Sequence, residues 1–211
     1  MGTKFAPTYA TLVLAYLEEK LYSKSEDIFG KEFAKYLKEY WKRFLDDCFI
    51  FWKRSKDDLE IFHNLLNNLH PDLKFTIESS EEKLPFLDIL IKKENTKVHT
   101  DIYYKPTDTK QYLNYKSCHP KHTKNSIPYN LARRICTIVS DSKTKNERLQ
   151  ELQKHLEARN FPKNVIKKGI LKASSIPKEQ LLQQPNQDSD EIIPYVATFN
   201  PKNTEMFGNF V

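Results

Sequence analysis

Lys42-Arg43-Phe44-Leu45-Asp46-Asp47-Cys48-Phe49-Ile50-Phe51-Trp52 is the stretch on which the fold turns. Two short apolar and aromatic runs flank one pair of adjacent aspartates. That pattern predicts a tight β-hairpin with both acids at its tip. Adjacent carboxylates repel, so the pair is a costly choice between aromatic strands unless a cation or water offsets it. The plain alternative is a solvent-exposed turn, because aspartate is a common turn residue.

Upstream of the hairpin the spacing is helical. Pro7 and Thr8 precede Tyr9–Leu21, where Leu12, Val13, Tyr16, Leu17 and Leu21 share one face, and Phe33, Tyr36, Leu37, Tyr40 and Trp41 form a second stripe. Downstream, Ser55 can cap a helix with Asp57 and Asp58 in its first turn and Leu59, Phe62, Leu65, Leu66 and Leu69 on one side. That helix stops before Pro71. Lys74–Glu78, Leu84–Ile91 and Val98–Tyr104 read as strands, the last two joined through Glu94-Asn95-Thr96. Ile127–Val139, Thr144–Arg159 and Pro162–Ala173 read as helices. Gln180–Glu191 is polar and reads as a linker, and Ile192–Phe199 as one last strand.

The 211 residues are 39% hydrophobic and 12% aromatic, enough to build a core and to exclude whole-chain disorder. Four glycines and eleven prolines exclude collagen-like and glycine-rich classes. Three scattered cysteines, Cys48, Cys118 and Cys136, make no disulfide framework and point to a reducing compartment. There is no 18-residue apolar run and no hydrophobic signal-peptide core at the start, so an intracellular chain with no membrane partner is expected.

Charge is unevenly spread. Residues 1–100 carry 16 Lys/Arg against 17 Asp/Glu, and residues 101–175 carry 16 against 6, a net of +10. Residues 176–211 are acidic, with a net of −3. A basic block beside a neutral one fits a nucleic-acid-binding lobe on a larger scaffold; a solvated lysine-rich helical surface is the alternative. Within the block, Tyr103, Tyr104, Tyr112, Tyr115 and Tyr129 interleave with Lys105, Lys110, Lys116, Lys121 and Lys124. Lysines neutralise phosphates and tyrosines stack on bases or sugars, or else pack the lobe. Arg133, Arg134 and Arg148, on the two helices that follow, are the arginines expected to meet phosphates. Cys118-His119-Pro120-Lys121-His122 offers three zinc ligands, one short of the four a structural site needs.

Phe44-Leu45-Asp46-Asp47 inside its hairpin resembles motif C of reverse transcriptases. Met1-Gly2-Thr3-Lys4-Phe5-Ala6-Pro7 and the helix after it look like motif B, Lys74-Phe75-Thr76 like motif D, and Leu84-Pro85-Phe86-Leu87-Asp88-Ile89 like the primer-grip hairpin. The basic lobe sits where a thumb would follow. The wording is most similar to Penelope-like retroelements, including Tyr104-Lys105-Pro106-Thr107-Asp108 and Ser126-Ile127-Pro128-Tyr129, a region that overlaps an animal helix-turn-helix domain.

The resemblance implies RNA-templated DNA synthesis. Asp46 and Asp47 would be magnesium ligands, Gly2 would shape the nucleotide site, and Lys74 would be a general acid for pyrophosphate. The lobe would grip an RNA template with a DNA primer, or a hybrid duplex. The family needs a further aspartate from a motif upstream of motif B, and these residues open inside motif B, so the chain reads as a fragment expected not to polymerise alone. The expected fold is α+β: a partial palm over 1–100, a thumb-like or helix-turn-helix basic lobe over 101–175, and a linker and tail over 176–211. The alternative function is a non-catalytic helix-turn-helix nucleic-acid-binding protein.

Overall fold

A computed structural model describes residues 5–183. The first helix, α1 (Ala6–Phe29), carries Pro7 in its opening turn and runs well past Leu21. Gly30 ends it with φ at 88°, a left-handed value that glycine adopts without strain. α2 (Lys31–Tyr40) folds back onto α1, followed by β1 (Lys42–Phe44) and β2 (Asp47–Phe49). These two strands pair antiparallel, with Phe44 opposite Asp47 and Arg43 opposite Cys48. α3 (Lys56–Asn67) is capped as expected: the Ser55 hydroxyl accepts a 3.1 Å hydrogen bond from the Asp58 amide.

Leu21, Phe33, Leu37, Phe62, Leu65 and Leu66 form a buried cluster between α1, α2 and α3. Trp41, Trp52, Leu69 and Phe75 pack around it, with the Trp52 and Phe62 rings 5.2 Å apart. Each such side chain contributes about 1.5–3 kcal/mol by leaving water. This is what fixes the hairpin between the helices that flank it in sequence.

Two strand expectations change. Lys74–Glu78 forms no strand. Side chains of α3 occupy the Phe75 backbone instead: its N–H donates to Asn67 Oδ1 at 2.7 Å, and its carbonyl lies 2.7 Å from His63 Nε2 and accepts from Asn67 Nδ2 at 3.2 Å. Leu84–Ile91 is not one strand but two, β3 (Lys83–Phe86) and β4 (Ile89–Glu94), with Phe86 opposite Ile89 around a Leu87-Asp88 turn. Asp88 is therefore a turn residue. β5 (Lys97–Ile102) pairs antiparallel with β4 across the Asn95-Thr96 turn and completes a three-stranded sheet.

An irregular stretch leads to α4 (Lys121–Ile138), which begins a turn and a half before Ile127 and holds Pro128 within it. α5 (Ser142–Ala158) starts from an Asp141 cap, whose carboxylate accepts from the Thr144 amide at 2.7 Å. α6 (Lys163–Ser174) and the short α7 (Lys178–Leu182) follow. A second buried cluster runs from Ile102 through Ala132, Ile135, Leu152, Leu156 and Ile166 to Ala173. α4 and α6 approach closely at Gly169, where a Cβ would stand 2.8 Å from the Tyr129 amide nitrogen and 2.9 Å from Pro128 Cβ. Gly2 and the strand expected at Ile192–Phe199 lie outside the described residues, as does most of the expected linker.

Candidate nucleic-acid interface

Asp46 stands in the β1–β2 turn and Asp47 opens β2, and both are exposed. The hairpin is held from beneath. Arg43 Nε and Nη2 donate to the two oxygens of Glu18 on α1 at 2.6 and 3.1 Å, and Trp41 Nε1 donates to Glu18 Oε1 at 3.0 Å. Asp46 lines a small apolar cleft on this underside with Leu14, Leu17, Leu21, Trp41, Cys48 and Phe75, whereas Asp47 does not. Burial pushes the Cys48 thiol up to about 11, with the Glu18 carboxylate adding to the shift. Among the described residues no three His, Cys, Asp or Glu side chains gather into a cluster that could hold a metal ion. Lys74 lies at a distance in sequence from this tip and donates to the Asn67 carbonyl at 3.1 Å.

In the basic lobe, the arginines divide. Arg148 is not offered outward as expected. It donates from Nε and Nη2 to the two oxygens of Asp101, at 3.0 and 2.8 Å, and from Nη1 to Glu151. Asp101 is only 1% exposed and also accepts from Lys92 at 3.0 Å. Burial alone would raise the Asp101 carboxyl, but the hydrogen bonds from Arg148, Lys92 and the Ile102 amide outweigh it and hold it down at about 2. Arg148 thus joins α5 to the sheet through a buried charge. Arg134 pairs with Asp88 at 2.9 Å, which leaves Arg133 as the exposed arginine of α4.

The lysines divide as well. Lys110 lies 4.1 Å from the Tyr104 ring centroid, Lys124 lies 5.3 Å from that of Tyr115, and Lys172 lies 4.7 Å from that of Tyr129. Each of those rings therefore has a cation of the chain itself against it. Burial lifts the Tyr104 hydroxyl to about 12, as befits a packing tyrosine. Lys105, Lys116 and Lys121 are exposed.

A further basic surface, which the sequence pattern did not single out, lies on α6. α6 turns Ile166, Gly169 and Ala173 inward, and exposes Lys163, Asn164, Lys167, Lys168, Leu171 and Lys172. Four lysines and no acid occur in its twelve residues, whereas α5 mixes its lysines with Glu147, Glu151 and Glu157. The ion pairs of the lobe use Arg134 and Arg148 and leave the α6 lysines without a carboxylate partner among the described residues. The signal was present in the sequence as an acid-free run with lysines four apart at 163/167 and 168/172.

Four residues, Arg159 to Pro162, separate α5 from α6, and Asn160 takes φ of 64° within them. The turn is stapled to the preceding loop: the Tyr115 amide donates to the Arg159 carbonyl at 3.0 Å, and Arg159 Nε donates to the Tyr112 carbonyl at 2.7 Å. Phe161, 4% exposed, plugs the turn into the core. Two helices joined by a short turn, the second of them basic, make a helix-turn-helix arrangement.

Residues 111–171 match the family model of the animal helix-turn-helix domain. The match takes in the stapling loop, α4, α5 and most of α6, and does not extend over the Asp46–Asp47 hairpin. No curated protein and no solved structure matches the chain. α6 is the last of the three helices that the matched segment enters. No helix among the described residues is long and apolar enough to cross a membrane.

Proposed function

We propose that this chain binds nucleic acid through its helix-turn-helix segment, with the lysine face of α6 laid against phosphates. The acid-free exposed face of α6 carries the proposal. Lys163, Lys167 and Lys168, which have no internal partner among the described residues, are free to displace condensed counterions, the main source of sequence-independent affinity. Arg133 and Lys121 on α4 add to the same lobe's positive charge.

The test is fluorescence anisotropy of the whole chain on unrelated DNA duplexes and on an RNA–DNA hybrid, between about 50 and 200 mM salt. Log affinity is expected to fall linearly with log salt, at a slope near −0.9 for each phosphate contact on B-DNA. Lys167→Ala with Lys168→Ala should flatten that slope by about two and weaken all sequences alike. An unchanged slope, or no binding at low salt, would refute the assignment.

A second reading, a retroelement reverse-transcriptase palm, is supported by one geometric fact: both aspartates are exposed at the end of a hairpin anchored on α1. Two-ion nucleotidyl transfer needs carboxylates from more than one element. The described residues supply Asp46 and Asp47 without a third metal-competent side chain beside them, so they do not fit a two-magnesium centre by themselves. No catalytic step is assigned to them or to Lys74. Primer extension by the purified chain on an RNA template should yield nothing; extension abolished by Asp46→Ala would revive the polymerase assignment.

A further inference from the structure

The first half of α1 is exposed in an unusual way. Phe5, Tyr9, Leu12 and Tyr16 are 65, 59, 62 and 62% exposed. They recur at intervals of four, three and four residues, so they form one continuous stripe along the helix. No charged side chain occurs anywhere from Phe5 to Leu17, and only Val13 on the flank and Leu14 on the opposite side are even partly covered before Leu17 reaches the core. An apolar helical stretch of this kind owes its stability to whatever covers it.

We propose that the stripe is covered by a second copy of this chain, with the two α1 helices antiparallel. Three observations on this helix point to a like partner. The spacing of four, three and four is the alternation of a two-helix seam. The stripe is also a palindrome about the midpoint of Ala10 and Thr11: reversing it places Phe5 against Tyr16 of the other copy and Tyr9 against Leu12. That arrangement is the self-complementary patch a two-fold interface requires. Finally, the uncharged flanks impose no like-charge repulsion when two identical helices meet; Glu18, Glu19 and Lys20 come only after the seam ends.

The area is sufficient. Three aromatic side chains of roughly 150–250 Å² each, about three-fifths open, plus Leu12, offer on the order of 500 Å² per copy. Doubled, with the flanking Ala6, Thr8 and Val13 added, this reaches the ~1,000 Å² that a specific interface needs. Lys20 lies 4.5 Å from the Tyr16 ring centroid and marks the end of the seam.

Sedimentation equilibrium of the whole chain over a range of concentrations tests this. The expected particle has twice the 25.0 kDa chain mass, dissociating on dilution. Leu12→Glu should raise the dissociation constant at least about 100-fold while leaving the far-ultraviolet circular dichroism unchanged, since Leu12 is 62% exposed in the monomer fold. Orientation has its own readout. Phe5→Lys and Tyr16→Glu should each weaken pairing, and the double variant should recover about tenfold, because only the antiparallel arrangement sets each lysine against a glutamate. A chain that stays monomeric at all concentrations overturns the proposal, and so does a Leu12→Glu chain that stays dimeric. A monomer with α1 amides protected from hydrogen exchange overturns it too, by showing that the chain covers its own stripe. A double variant no better than the singles removes the antiparallel pairing.

Discussion

Replacing Gly169 by alanine sets two effects against each other, and the structure says which prevails. In a helix interior, alanine is favoured over glycine by about 1 kcal/mol, so at an ordinary position the change stabilises. At Gly169 the new Cβ would lie 2.8 Å from the Tyr129 nitrogen, 2.9 Å from Pro128 Cβ and 3.0 Å from the Pro128 carbonyl carbon. Two of those three atoms are backbone, and the third belongs to a proline ring that cannot rotate away. α4 and α6 must therefore separate by several tenths of an ångström along the interface that unites the lobe. Overpacking of this kind costs about 1–3 kcal/mol and here falls at the upper end, because rigid groups meet. After the propensity gain, the net expectation is a loss of about 1–2 kcal/mol, or roughly 2–8 °C in Tm for a chain of this size. Thermal unfolding followed by circular dichroism measures it, with Lys168→Ala on the exposed side of the same helix as the control expected to move little. If Gly169→Ala raised Tm, the close approach of α4 and α6 would be wrong.

Asp101 gives the chain an acid-sensitive element. Its folded-state carboxyl is depressed to about 2, below the ordinary 3.8, so its contribution is complete above about pH 4 and is lost as pH falls from there toward 2. At about 1.4 kcal/mol for each unit, that is about 2 kcal/mol, and urea titrations across this range should show a fall that Asp101→Asn lacks. Glu18→Gln removes the charge that Arg43 and Trp41 share under the hairpin and should cost about 1–2 kcal/mol, read by chemical denaturation. A value near zero would mean that the hairpin is held elsewhere. Leu87→Gly should stabilise by roughly 0.5–1 kcal/mol in the same assay, because Leu87 turns the β3–β4 hairpin with φ at 53°, where a side chain is strained.

The hairpin was legible because β-forming runs stand on both sides of the aspartate pair, a local signal, although the turn itself falls on Leu45-Asp46 and Asp47 opens β2. The helices of the basic lobe were legible from their periodicity. What failed was non-local. Phe75 and Ile77 alternate like a strand, but Asn67 and His63 take the Phe75 backbone polar groups, and nothing in residues 74–78 announces it. The break at Leu87-Asp88 was hidden because leucine, not glycine or asparagine, adopts the left-handed turn conformation. Arg148 looked like a phosphate contact because its acidic partner, Asp101, is 47 residues away. The α6 lysines carry a readable signal, the absence of acids, but it is diluted by the lysines spread through the whole of residues 101–175.

The ion pair between Asp101 and Arg148 also limits how this lobe can be inherited. The segment that matches the helix-turn-helix model begins at residue 111, ten positions beyond the carboxylate on which α5 depends. A gene rearrangement that moved only the matched stretch into another protein would bring Arg148 without its counter-ion and leave Ile102 out of the core it helps to fill. The cassette that can travel intact is longer than the pattern by which it is recognised: it must start early enough to carry β4, with Lys92, and β5. Hosts that receive this lobe should therefore carry the β4–β5 hairpin ahead of it, whatever else they share.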